Sequence, residues 1–137
     1  MSDLKPELSG KSKYHLPRHR YYELRHFCLQ YGDWVRQLKM LSSPQTPEFI
    51  ESVQRATEVS NPTERIAVMR AAISENVRMV EEAAREADPA LAKYILLGVT
   101  EGRSFDNLKT AMGMPCERDM YYDRYRKFFW LLSKNRT

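Results

Sequence analysis

Between residues 17 and 41, apolar side chains fall at Leu24, Phe27, Cys28, Tyr31, Trp34, Val35, Leu38 and Leu41. Steps of three and four place them on one stripe of a helix, and this stretch predicts the strongest helix in the chain. Pro17 suits its first turn, where the missing N–H is not needed, and Ser42-Ser43-Pro44 stops it. Gly32 weakens the middle by about 1 kcal/mol relative to alanine. Thr46-Pro47 reads as a cap and a first-turn proline, opening a shorter helix to about residue 59 with Phe49, Ile50 and Val53 inward.

Asn61-Pro62-Thr63-Glu64 joins an N-cap, a first-turn proline and a carboxylate three residues on. It predicts a long helix to residue 87, ended by Asp88-Pro89. Ile66, Ile73, Val80 and Ala87 recur every seven residues, with Met69 and Ala83 between them and Asn76 interrupting the row. Such a seam can pair with another chain, but it spans only about three heptads. Packing against residues 24 to 41 of the same chain is therefore the expectation.

Residues 90 to 101 predict a further helix through Leu91, Tyr94, Ile95, Leu97 and Val99, with Gly102 capping its end. Ser104 caps the next, over residues 105 to 112, and Gly113 permits the positive φ of a tight turn. Leu108, Met112 and Met114 supply apolar contacts on either side of that glycine. A long basic and aromatic helix over residues 116 to 132 follows, with Tyr121, Tyr125, Phe128 and Leu132 expected on Leu97, Phe105 and Leu108. Sustained strand alternation is missing throughout. The predicted fold class is all-α: a flexible basic arm (1–16), a helical N-terminal domain with long helices (17–88), and a C-terminal helix-turn-helix (89–137).

Charge sharpens this picture. The net charge is +4, and its distribution says more than its sum. Residues 1 to 60 hold nine Lys/Arg against seven Asp/Glu, residues 61 to 102 five against seven, and residues 103 to 137 eight against four. The excess on the last segment suits a phosphate backbone and implies salt-dependent binding. Lys5, Lys11 and Lys13 of the arm are further basic candidates. At 137 residues the chain can bury one core, or one core and a small appended unit. An apolar run of membrane-spanning length is missing, as is the apolar middle of a signal peptide, so the expected location is a cytoplasm.

On the last helix, Arg118, Tyr122 and Arg126 share a stripe at i, i+4 and i+8. In a major groove, arginine binds guanine edges with two hydrogen bonds and tyrosine reaches phosphates or thymine methyls. Arg103, Lys109, Arg124 and Lys127 suit phosphates. The competing reading has Tyr122 in the core and the arginines paired with Glu117, Asp119 and Asp123.

Enzymatic readings find little support. His19 and His26 share a helical face without the partners a metal site needs, and Cys28 and Cys116 have no ligand spacing. Cys116, near a helix N-terminus, is a candidate for a lowered pKa, but no base is spaced to use it. Glu81-Glu82 and Glu86 read as a solvated acidic face. The expectation is no enzyme, no cofactor and no metal.

The strings Val99-Thr100-Glu101-Gly102-Arg103-Ser104-Phe105, Leu108-Lys109, Met114-Pro115-Cys116 and Tyr121-Tyr122-Asp123-Arg124-Tyr125-Arg126-Lys127-Phe128-Phe129 resemble small phage and prophage proteins of low-GC Gram-positive bacteria. Among these the chain is most similar to the ArpU and RinA type of late-gene transcriptional regulator, over residues 90 to 134. The resemblance implies a helix-turn-helix similar to sigma-factor region 4 behind a helical N-terminal segment. It further implies double-stranded DNA as partner, RNA polymerase as a second candidate partner, and a bacterial cytoplasm.

Lys109 stands where that motif usually has a small residue, and Pro115-Cys116-Glu117 lengthens the turn. Arg118, Tyr122, Arg124 and Arg126 are therefore the reader candidates carried over. A homodimer on spaced half-sites is the expected assembly. Two rivals remain: a DNA-packaging component of the small-terminase kind, which would form a ring, and a protein-protein module without a DNA role.

Overall fold

The computed structural model of the chain describes residues 12–42, 48, 51 and 61–136. Among them are helices and turns and no strand, so the fold is all-α. The helices are α1 (Arg18–Leu29), α2 (Tyr31–Ser42), α3 (Pro62–Ala87), α4 (Ala92–Glu101), α5 (Phe105–Thr110) and α6 (Arg118–Asn135). The helix expected over residues 46 to 59 lies outside the described residues, apart from Glu48 and Glu51, both helical. Lys5 and Lys11 lie outside them too. No helix among the described residues is long and apolar enough to cross a membrane.

Where the spacing predicts one helix over residues 17 to 41, the chain makes two. The Gln30 N–H bonds the Phe27 carbonyl at 3.2 Å, three residues back, and this tightens the backbone at the joint. Gly32, a poor helix former, follows directly after Tyr31. The apolar stripe runs unbroken across this point, which is why periodicity alone does not reveal it.

The chain divides into two compact units: one holds the described residues up to Tyr31 and those from Met79 on, the other Gly32–Arg78. They do not follow the expected cut between residues 88 and 89, because α1 packs against both α4 and α6. In this first unit α6 turns Tyr121, Tyr122, Tyr125, Phe128, Phe129 and Leu132 inward. Against them α1 sets Tyr21, Leu24, Phe27 and Cys28, and α4 sets Tyr94, Ile95, Gly98 and Val99. Phe129 meets Tyr21, Tyr125 and Phe128 edge-on at centroid distances of 5.1, 5.0 and 4.9 Å. Such edge contacts are favoured by the ring quadrupole. The Tyr21 and Tyr125 hydroxyls share a buried hydrogen bond of 3.0 Å, which meets the cost of placing polar atoms there.

Long-range polar contacts finish the unit. The last turn of a helix leaves carbonyls without intrahelical partners. Arg20 on α1 supplies them, donating to the Ser133 carbonyl and Oγ at 3.0 Å each and to the Arg136 carbonyl. Arg136 lies over the Phe27 ring, 3.8 Å from its centroid. Tyr31 donates to the Glu81 carboxylate, so Glu81 is half-buried rather than part of a purely solvated face. Residues 12 to 16, expected as loose arm, form a turn whose Tyr14 ring meets Trp130 edge-on at 5.5 Å.

In the second unit, α3 opens as its sequence predicts, with the Glu64 N–H donating to Asn61 Oδ1 at 3.1 Å. Ile73 packs against the buried pair Leu41 and Ile66, and Arg70 donates to the Leu41 carbonyl. The start of the seven-residue seam thus faces a helix of the same chain. Met69, expected inside, is exposed.

Candidate nucleic-acid interface

The residues singled out for DNA contact cluster around the junctions α4–α5 and α5–α6. Gly102 ends α4 in the left-handed conformation, φ 71°, its N–H on the Gly98 carbonyl at 3.1 Å. Two residues on, Ser104 Oγ accepts the Asn107 N–H at 3.1 Å and caps α5. Gly113, φ 70°, carries the next turn. The Met114 N–H bonds the Leu108 carbonyl at 3.1 Å, and the Met114 side chain is buried as expected, while Met112 is exposed.

α6 begins at Arg118, two residues later than the pattern predicts. Lys109, the residue where a small side chain was expected, lays its ammonium across the turn and donates to the Cys116 carbonyl at 3.0 Å and to Glu117 at 3.2 Å. These bonds span residues 116 and 117, which precede the helix. Lys109 therefore acts on the turn.

The stripe expected to read DNA is split by its surroundings. Arg118 is exposed and lies over two rings, 5.7 Å from the Phe105 centroid and 5.0 Å from that of Tyr122. It makes no hydrogen bond or ion pair among the described residues. Tyr122, by contrast, is buried at 7% exposure and serves as the platform for Arg118. Arg126 is half-buried.

The phosphate candidates divide similarly. Arg124 Nε donates to Asp88 at 3.1 Å and its Nη1 to Asp123, tying α6 to the loop that follows α3. Asp88, and after it Asp123, push the guanidinium pKa further up. Arg103 donates through Nε to Glu101 at 2.9 Å and through Nη1 to Asn107 at 3.0 Å, leaving Nη2 without a partner among the described residues. Lys127 is half-exposed and makes no hydrogen bond or ion pair among the described residues.

Beside Arg118 sits a small polar cavity of about 80 Å³. Arg103 and Ser104 line it from the α4–α5 junction, Tyr121, Tyr122 and Tyr125 from α6, and Arg25 from α1. Gly98 and Gly102 complete the wall. A Cβ at Gly98 would collide with the Tyr121 hydroxyl oxygen, so only glycine admits that ring against α4. The sequence pattern marks Arg103 and Tyr122, but nothing in it points to Arg25, which reaches the cavity only through the packing of α1 on α6.

Cys116 does not have the lowered pKa that a helix N-terminus suggests. Burial pushes the thiol up, against the pull of the Lys109 ammonium, and Asp88 and Glu117 push it up further. The Cys28 thiol is raised by burial as well. Among the described residues no three His, Cys, Asp or Glu side chains are grouped to hold a metal ion. No protein-family model, curated protein or solved structure matches the chain.

Proposed function

We propose that the chain is a double-stranded-DNA-binding transcriptional regulator of the phage or prophage type, in which α5, the Gly113 turn and α6 act as a helix-turn-helix. The observation that carries this reading is Arg118. It stands exposed on the first residue of α6, propped on Phe105 and Tyr122, with its donors unclaimed among the described residues. A planar fork held by stacking loses less freedom on binding and matches the two acceptors of a guanine edge or a phosphate. The first turn of a recognition helix is also the part that meets base edges.

The reading is narrower than the charge count suggests. Arg118 is the base reader, Lys127 and Arg126 are the other candidate contacts on α6, and Lys109, Tyr122 and Arg124 hold the framework. The mechanism is binding without chemistry, in the cytoplasm of a bacterial host, by a homodimer on spaced half-sites with RNA polymerase as a second partner.

Fluorescence anisotropy tests it, using duplexes from upstream of neighbouring genes and a scrambled duplex at two salt concentrations. A preference of about 1000-fold or more for one fragment is expected. Arg118→Ala should cut that preference by about 5- to 150-fold, the loss of one bidentate base contact. Lys127→Ala should weaken all duplexes alike and lower the salt slope by about 1. Weak, equal binding to every duplex, or a preference that Arg118→Ala leaves intact, overturns the reading.

A further inference from the structure

Past Asp123, α6 holds no acidic residue, and neither do residues 12 to 18. The fold brings these two stretches together at Trp130. Its half-buried indole meets the Tyr14 ring edge-on at 5.5 Å and carries the Lys134 ammonium 3.6 Å from its centroid. Tyr14 in turn carries the Lys13 ammonium at 5.1 Å. Lys127, three residues before Trp130, shares its helical face, as does Lys134 four residues after it. Phe128, Phe129 and Leu132 fill the opposite, buried face. Lys13 and Lys134 are exposed, and no acidic group among the described residues pairs with them or with Lys127. The helix dipole favours a lysine in the last turn of α6. That accounts for Lys134 but not for Lys13, which arrives from a different segment.

We propose that Lys13, Lys127 and Lys134, ordered around Tyr14 and Trp130, form a second contact that grips phosphates of a DNA duplex outside the bases met by Arg118. This contact deepens the helix-turn-helix reading and rests on it for the choice of duplex DNA. An ammonium seated on a ring face keeps donors turned away from the ring. Its side chain also has less freedom left to lose when a phosphate arrives. Position favours the DNA backbone. Lys134 stands about 24 Å from Arg118 along α6 by helical rise, and a major groove is about 12 Å wide. With the first turn of α6 at base edges, the far end of the helix reaches past the groove to the flanking phosphates.

Duplex binding by the full chain, followed by fluorescence anisotropy across a salt series, tests this. The double variant Lys13→Ala, Lys134→Ala should lower the salt slope by about 2 for the preferred fragment and the scrambled duplex alike. The preference between them should not change. Trp130→Ala removes no charge, yet it should weaken both duplexes by about 2- to 10-fold, because an unseated lysine must be ordered on binding. Diffuse attraction to surface charge would leave Trp130→Ala without effect. Should Trp130→Ala lose helix content by circular dichroism, the exposed lysine pair carries the test.

The outcomes separate this contact from the base reader. Equal binding to every duplex, with the slope loss of the lysine pair intact, overturns base reading by Arg118 and leaves this contact standing. A fragment preference that persists while the lysine pair leaves the slope unchanged overturns this contact and leaves the reader. A folded Trp130→Ala chain that binds as the wild type does also overturns it. So do vesicles of phosphatidylserine and phosphatidylcholine that bind through these lysines while the duplex does not.

Discussion

The two compact units spend their apolar side chains differently. In the first, α6 alone turns six large side chains inward, and α1 and α4 meet them with further buried faces. In the second, the described residues bury only Trp34, Leu41 and Ile66 among their large apolar side chains. Each fully buried large apolar side chain contributes about 1.5–3 kcal/mol. Among the described residues, the denser apolar core is therefore the one that also holds Arg118 and the cavity. A binding surface gains from such a foundation, because side chains fixed by packing need less ordering when a ligand arrives. Regions with fewer buried contacts open locally at lower free energy.

Core truncation separates the two units most directly. Phe128, fully buried at 0% exposure in the first unit, should cost about 3–5 kcal/mol when changed to Ala. Ile66→Val in the second unit should cost about 0.5–1.5 kcal/mol. Urea unfolding followed by circular dichroism measures both. A Phe128→Ala loss no larger than that of Ile66→Val would mean that the aromatic core is not the stronger foundation.

A smaller effect probes how tightly that foundation is packed. Alanine is about 1 kcal/mol better than glycine inside a helix, yet Gly98→Ala should destabilise the chain by about 1–3 kcal/mol. The reason is the Tyr121 hydroxyl, which occupies the place of the new Cβ. Removing that hydroxyl by Tyr121→Phe in the same chain should return part of the loss, a coupling of about 0.5–3 kcal/mol. Gly98→Ala that stabilises the protein, or a double variant whose losses simply add, would show that α4 and α6 are not in contact at this point.

These cases also show how far residue patterns reach. Local features were readable: the Asn61 cap, the left-handed Gly102 and Gly113, and the Ser104 cap each depend on neighbours a few residues away. Orientation was harder. Tyr121 and Tyr122 are adjacent, and helical spacing alone does not say whether the apolar arc is wide enough to take both; in the structure it is, and the expected reader stripe loses its middle residue. Pairings between distant segments left no local trace. Arg20 meeting Ser133, Arg124 meeting Asp88, and Arg25 reaching the cavity all depend on how α1 and the loop after α3 pack against α6. For the site, charge counting located the right segment but not the division of labour within it, because a guanidinium that braces a turn and one that awaits a ligand are the same residue type.

The mildest prediction concerns the edge of the first unit, at Tyr31. Burial, the hydrogen bond it donates to Glu81 and the charge of that carboxylate push the phenol pKa from 10.0 up to about 12. Between those values the unfolded chain has released this proton while the folded chain still holds it. Proton loss therefore favours unfolding, and the contribution of Tyr31 is complete below pH 10 and disappears as pH rises through about 12. Other tyrosines titrate in the same range, so the useful quantity is the stability difference between the wild type and Tyr31→Phe, measured by urea unfolding from about pH 9 upward. That difference should shift against the wild type as pH rises, because phenylalanine has no proton to lose. A difference that stays flat to the top of the range would mean that Tyr31 ionises freely, and that its bond to Glu81 does not tie the end of the α1–α2 joint to α3.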